Sequence, residues 1–339
     1  MEFHNDRKVP PVASKKHSSY IKIVFSQFNT RNRFFHYMTV ISIVLIVLLV
    51  FILSATIIMF VIGPKLLLLP RMRTAEFYRM RKLPVSPGEL GLQHEDVRVQ
   101  VDNGIQLHSW LIRSKRQARG TIIYLHGVAD CKIDGLRFAK LLHDQDYNVF
   151  LYDSRRHGDS DGAYCTYGFY EKHDVVRVID YLQSRNDLQM GKIGLFGTSM
   201  GAAIALQAAA IDPRIAAVVA ENSFATLRTI FDDYQRRMIK LSFHYLRNVV
   251  IVRSELKAKF KASDVSPLEA VKKISIPLLF IYGTQDHLIN YQYSLLLHEN
   301  AHEPKELFAV EGASHSDIWD IAGRQYEERI INFFKKYLQ

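Results

Sequence analysis

The stretch KIGLFGTSMGAAIALQAAAI, residues 192–211, decides how the chain is read. It opens on an apolar, strand-like run at 193–196, passes through Gly197-Thr198-Ser199-Met200-Gly201, and continues as an alanine-rich helix former to Ile211. A strand that turns this sharply into a helix leaves no room for a Cβ two residues either side of the turning residue. Gly197 and Gly201 supply that room. Ser199 then stands at the tip, its hydroxyl directed out of the sheet. The first N–H groups of the following helix, and the helix dipole, favour negative charge beside it. That geometry suits a nucleophile and the oxyanion it creates. A lone G-x-S-x-G is a weak signal, and its position between strand and helix gives it weight.

Outward from this stretch, apolar runs alternate with helix-like ones from about Leu90 to the end of the chain. Strands are expected at 97–101 and 105–112, a hairpin turned by Asp102-Asn103-Gly104. Further strands are expected at 121–125, 148–152, 193–196, 215–220, 277–282 and 306–310, with helices near 136–142, 171–183 and 325–337. This rhythm predicts a mainly parallel central sheet covered by helices on both faces. There is no internal repeat and no low-complexity tract.

A serine hydroxyl is a poor nucleophile until a base takes its proton, and the base needs an acid to fix its tautomer. The strand at 277–282 ends in Gly283-Thr284-Gln285-Asp286, and the strand at 306–310 ends in Glu311-Gly312-Ala313-Ser314-His315. Asp286 and His315 thus arrive at the carboxyl edge of the sheet, where Ser199 emerges and where an open parallel sheet collects its site. The order Ser, Asp, His is the one this strand–turn–helix motif carries. Each residue also has a plainer reading. Asp286 can stabilise its own turn, His315 is one of 14 histidines, and His287 and His302 are rival bases. The oxyanion needs two backbone donors. Met200 N–H, directly after the nucleophile, and Val128 N–H, in the His126-Gly127-Val128 loop after the strand at 121–125, are the candidates. The His126 side chain is expected to buttress that loop.

These motifs resemble the α/β-hydrolase superfamily from about Leu90 to Leu338. IYLHG (123–127), VFLYDSRRHGDSDG (149–162), GLFGTSMGAA (194–203), AENSF (220–224), YGTQD (282–286) and GASHSD (312–317) are similar to serine aminopeptidase-like hydrolases and to membrane-anchored Bem-type hydrolases. The resemblance implies a Ser-His-Asp esterase, thioesterase or peptidase that uses no cofactor. One departure is Arg156, which stands where the family's D-x-R-G-x-G-x-S loop usually carries a small residue. The HGGG form of the oxyanion loop is absent.

Residues 1–37 are polar and basic and read as a flexible tail. Residues 38–63 contain no charged side chain and include VISIVLIVLLVFILSATIIMFVI, enough apolar chain to span a bilayer once as a helix. Residues 64–89, with Pro70, Pro84 and Pro87, read as a juxtamembrane linker, and 90–339 as the hydrolase domain. Within it, about 225–266 reads as a helical cap insertion. Arg228, Arg236, Arg237, Lys240, Arg247, Arg253, Lys257, Lys259 and Lys261 outnumber its acids, and Met238 and Leu241 belong to its apolar stripe. A basic amphipathic cap is suited to packing on the pocket, or to resting on anionic lipid.

The net charge of +10, from 44 Lys and Arg against 34 Asp and Glu, points to an anionic neighbour. No nucleic-acid-binding motif accompanies the charge, so a membrane is the expected neighbour and nucleic acid is not. Basic residues flank the apolar run on both sides, Arg31 and Arg33 before it and Lys65, Arg71 and Arg73 after it. The side of the membrane therefore stays open. Two cysteines, Cys131 and Cys165, make neither a disulfide framework nor a zinc set, and no metal is expected. The substrate expected is a small molecule, a lipid or an acylated peptide. The alternatives are a peptidase and a catalytically silent, membrane-tethered scaffold.

Overall fold

Between Pro11 and Gly63 the chain has neither glycine nor proline, so nothing in the backbone interrupts a helix. In the computed structural model, which describes residues 15–239 and 244–339, this stretch forms α1 (Lys15–Ile57). The basic residues from Lys15 to position 37, expected as a flexible tail, are drawn into that helix. Residues 1–14 of the tail, and Lys240 and Leu241 of the cap, lie outside the described residues. The most apolar window has a mean hydropathy of 3.2 and no buried residue. Thr39, Ser42 and Thr56 each donate their hydroxyl to the carbonyl four residues back, so these polar groups are satisfied within the helix.

The chain forms two units that part between Ile58 and Met59. The second begins in a π-helical turn (Ile58–Ile62) and continues through α2 (Gly63–Leu68) and α3 (Ala75–Met80). The residues expected as a linker pack within this unit. Leu67, Leu68, Tyr78 and Val85 are buried. Leu68 O accepts from Cys165 N at 3.0 Å, and Leu67 O accepts from the Tyr167 hydroxyl at 3.0 Å.

Among the described residues the sheet has eight strands, β1 (Glu95–Gln100), β2 (Gln106–Ile112), β3 (Thr121–Leu125), β4 (Asn148–Tyr152), β5 (Ile193–Thr198), β6 (Ile215–Glu221), β7 (Leu278–Gly283) and β8 (Lys305–Val310). Their order is β1-β2-β4-β3-β5-β6-β7-β8. β2 runs antiparallel to both β1 and β4, and the other neighbours are parallel. Between the strands lie α4 (Leu136–His143), α5 (Glu171–Ser184), α6 (Met200–Ala209), α7 (Leu227–Ile239), α8 (His244–Ala258), α9 (Pro267–Val271) and α10 (Gln292–Asn300). α11 (Ile318–Ala322) and α12 (Arg324–Leu338) close the chain.

Two apolar layers follow from the two-residue period of the strands. Leu195, Val218 and Phe280 face the layer that holds α5 and α6. Their neighbours Phe196, Val219 and Ile281 face the layer that holds α4 and α12. Both faces of the parallel strands are therefore covered, which accounts for their unbroken apolar runs. The helices α7 and α8 fall where the insertion is expected, between β6 and β7. They bury Ile230, Phe231, Ile251 and Ala258, and Arg247 pairs with Asp232 at 2.5 Å. β3 lies between β4 and β5, so the chain's direction of winding reverses there and leaves a crevice at the carboxyl ends of β3 and β5.

Candidate active site

Ser199 caps α6 at the end of β5 with φ 55° and ψ −115°, a backbone conformation costly for any residue with a Cβ. The strain is held by close packing on both sides. A Cβ on Gly197 would stand 2.3 Å from Gly201 O, and one on Gly201 would stand 2.0 Å from Leu125 O. Ser199 N donates to Glu221 O at 2.8 Å, fixing the turn against β6. Met200 opens α6, so its N–H has no partner within the helix.

Asp286 follows β7, and its two carboxylate oxygens do different work. Oδ1 accepts from Leu288 N and Ile289 N at 2.7 and 2.8 Å, and Oδ2 lies 2.6 Å from His315 Nδ1. One side chain thus contacts both its own turn and His315. Asp286 is buried and His315 is half-buried. The loops after β7 and β8 are stitched together by Gln285 N donating to Ala313 O and Gly312 N donating to Thr284 Oγ1, each at 2.9 Å.

Ser199, His315, Gly127 and Val128 line one cavity of about 420 Å³, whose apolar wall includes Leu136, Phe138, Ile289 and Trp319. In the loop that carries Val128, His126 Nε2 accepts from Ser154 N at 3.0 Å, so its proton is on Nδ1, which donates to Gly127 O at 2.8 Å. Burial pushes this imidazole below its ordinary value. A neutral ring with both nitrogens engaged is a brace for the loop. The guanidinium of Arg156 reaches Met72 Sδ at 4.0 Å, and Arg156 is not among the residues that line the cavity.

Several groups here escape a reading of the sequence. Asn222 Nδ2 donates to His315 O at 3.2 Å and its Oδ1 accepts from Gly283 N at 3.3 Å, joining the acid and histidine loops. Asp134 accepts from the Tyr124 hydroxyl at 2.6 Å, and burial together with Asp130 pushes its carboxyl up to about 7. Glu221 accepts from the Tyr326 hydroxyl and also lines the cavity. An acid inside the apolar run VVAENS is the only local sign of it.

Burial pushes the Glu221 carboxyl from 4.5 up to about 7, against the pull of Tyr326 and His315. The folded state then holds a proton that the unfolded chain has released, and stability falls with rising pH wherever that difference exists. The contribution of the protonated form is complete below about pH 4.5 and lost by about pH 7. Glu221→Gln keeps an acceptor for Tyr326 and removes the titration. The variant's melting temperature should therefore exceed that of wild type by several degrees at about pH 8 and converge on it at about pH 5. A pH-independent difference in thermal unfolding would assign Glu221 no such linkage.

A family profile described as "Serine aminopeptidase, S33" matches residues 116–271. An uncharacterized Bacillus subtilis protein, YqkD, is 32% identical over 215 residues, 63% of this chain and 70% of that protein. The Escherichia coli O157:H7 protein YfhR, also uncharacterized, is 30% identical over 283 residues, 81% of this chain and 92% of its own length. Among solved structures, the Pyrococcus furiosus esterase PF2001 superposes with a TM-score of 0.66 at 24% identity, covering 80% of this chain and 98% of that one. That superposition carries the fold. By these matches the chain belongs to the α/β-hydrolase superfamily, within the serine aminopeptidase S33 family.

Proposed function

We propose that the protein is a membrane-anchored serine hydrolase that cleaves an ester, thioester or amide through an acyl-enzyme on Ser199. The observation that carries this reading is the His315–Asp286 pair at 2.6 Å, facing the cavity into which the strained turn presents Ser199. Ser199 Oγ attacks the substrate carbonyl carbon while His315 Nε2 takes its proton and Asp286 holds the opposite ring nitrogen. The carbonyl electrons move onto oxygen and are met by the N–H groups of Met200 and Val128. As the tetrahedral centre collapses, the leaving group departs with the proton from His315. Water, deprotonated by the same ring, then attacks the acyl carbonyl, and the acid is released as Ser199 regains its proton.

An acyl ester or thioester of a lipid or lipidated peptide fits the apolar wall, and the esterase name of the Pyrococcus furiosus structure agrees with ester cleavage. Peptide hydrolysis is the second reading, favoured by the family profile. An aminopeptidase, however, needs a carboxylate for the substrate's α-ammonium. Asp130, Asp134, Glu221 and Asp320, which line the cavity, are already engaged by Arg73, Tyr124, Tyr326 and Arg137. Those commitments weigh toward the ester.

Membrane anchoring rests on α1, whose apolar window is long enough to span and whose Thr39, Ser42 and Thr56 hydroxyls are bonded within the helix. Arg253, Lys257, Lys259 and Lys261, all exposed on and just after α8, add a surface for anionic lipid. A fluorophosphonate probe applied to carbonate-washed membranes tests both parts. Wild type should label in the pellet and Ser199→Ala should not. Label recovered in the supernatant would remove the anchor and keep the hydrolase. Failure of folded wild type to label would favour the silent scaffold.

A further inference from the structure

The carboxylate of Asp130 stands where catalysis would least want one. It lies on the loop that carries Val128, is buried, and lines the same cavity as Ser199. A methyl group placed on Gly127 would sit 3.4 Å from Asp130 Oδ2 and 3.5 Å from Ser199 Cβ, so acid and nucleophile flank the same Cα. Negative charge fixed there opposes the negative charge that develops on the substrate oxygen, and the low dielectric of a buried site enlarges the penalty.

What meets that charge comes from the segment between α1 and the hydrolase sheet. Arg73 Nη1 donates to Asp130 Oδ1 at 2.5 Å, the Tyr78 hydroxyl donates to the same oxygen at 2.9 Å, and Arg73 N donates to Ala129 O at 2.7 Å. Leu83 and Pro84 of the same segment line the cavity as well. Ala129, at φ 69°, is the residue of the loop that needs holding. One arginine thus ties the loop through its backbone and neutralises the acid beside it through its side chain.

We infer that Arg73 is a positioning residue of the hydrolase, acting through Asp130 to keep the oxyanion site free of opposing charge and its loop in place. The catalytic centre is then completed by the segment that follows α1, outside the region expected as the hydrolase domain. This inference rests on the serine-hydrolase reading of the site.

The test uses the full-length protein and p-nitrophenyl acetate and octanoate, at about pH 8.5, above the usual carboxylate range. Arg73→Met should lower kcat about 100-fold, the size of losing one oxyanion-hole donor, with KM within about threefold of wild type. Adding Asp130→Asn to Arg73→Met should recover at least about tenfold, since the charge to be neutralised is gone. Arg73→Lys should retain more activity than Arg73→Met. If Arg73→Met does not accumulate as folded protein, Arg73→Gln makes the same comparison. An active wild type with an indifferent Arg73→Met, or a double variant no better than the single, would overturn the inference and leave the hydrolase reading standing. A folded wild type that neither turns over these esters nor labels at Ser199 would take both down.

Discussion

Asp286→Asn should lower kcat by about 10⁴-fold and leave the fold in place. The two oxygens of Asp286 separate these effects. Oδ1 accepts from Leu288 N and Ile289 N, and an asparagine carbonyl makes the same two bonds. Oδ2 faces His315 Nδ1 at 2.6 Å, and there asparagine offers an NH₂ group in place of an acceptor. The imidazole must then turn Nδ1 into an acceptor and carry its proton on Nε2, the nitrogen that in the proposed mechanism takes the proton from Ser199. The variant should bind ester with a KM close to that of wild type and unfold within a few degrees of it. Two measurements, steady-state kinetics and thermal unfolding, decide the matter. A loss of activity under tenfold in folded protein would confine Asp286 to its turn and send the search for an acid elsewhere.

Much of this arrangement can be read from the chain alone, and the reason is geometric. Ser199, Asp286 and His315 each lie just beyond a strand of one parallel sheet, so strand ends that are legible as apolar runs place their loops on a common edge. The fold follows from the same runs, because parallel strands buried on both faces lose their alternation and become easy to see. What cannot be read is side-chain pairing across long separations. Arg73 and Asp130 are 57 residues apart, and Tyr326 and Glu221 are 105 apart. No local pattern marks either pair. The stretch 64–89 reads as a linker on its prolines, Pro70, Pro84 and Pro87. Leu67, Leu68, Tyr78 and Val85 are nevertheless buried, each against a partner supplied by the tertiary fold. The extent of α1 was obscured in the opposite way. Its first turns are polar, and only the lack of any helix breaker lets the helix run back to Lys15.

The turn that presents Ser199 makes the second large prediction, because here stability and catalysis share one contact. Gly201→Ala should destabilise the protein by about 3 kcal/mol or more, a fall of roughly 6–12 °C in melting temperature for a domain of this size. The new Cβ would stand 2.0 Å from Leu125 O, 2.4 Å from Leu125 C and 2.8 Å from His126 O. All three are backbone atoms. Leu125 pairs with Gly197 in the sheet, and His126 is braced by its bonds to Gly127 O and Ser154 N, so neither can yield as a flexible side chain would. The strain is relieved only by separating α6 from the end of β3. That movement parts Met200 N–H from the Val128 loop, so the protein that still folds should label with fluorophosphonate far more slowly than its stability alone implies. Gly312→Ala is the contrast. Gly312 has φ 76° and no described atom within 4 Å of the new methyl group, so its cost is the left-handed backbone alone, about 1 kcal/mol. Thermal unfolding and labelling rates of the two variants side by side give the answer. Equal, small losses in both would mean that the contact between α6 and β3 does not set the turn, and that the strain at Ser199 is held by β6 through Glu221 O instead.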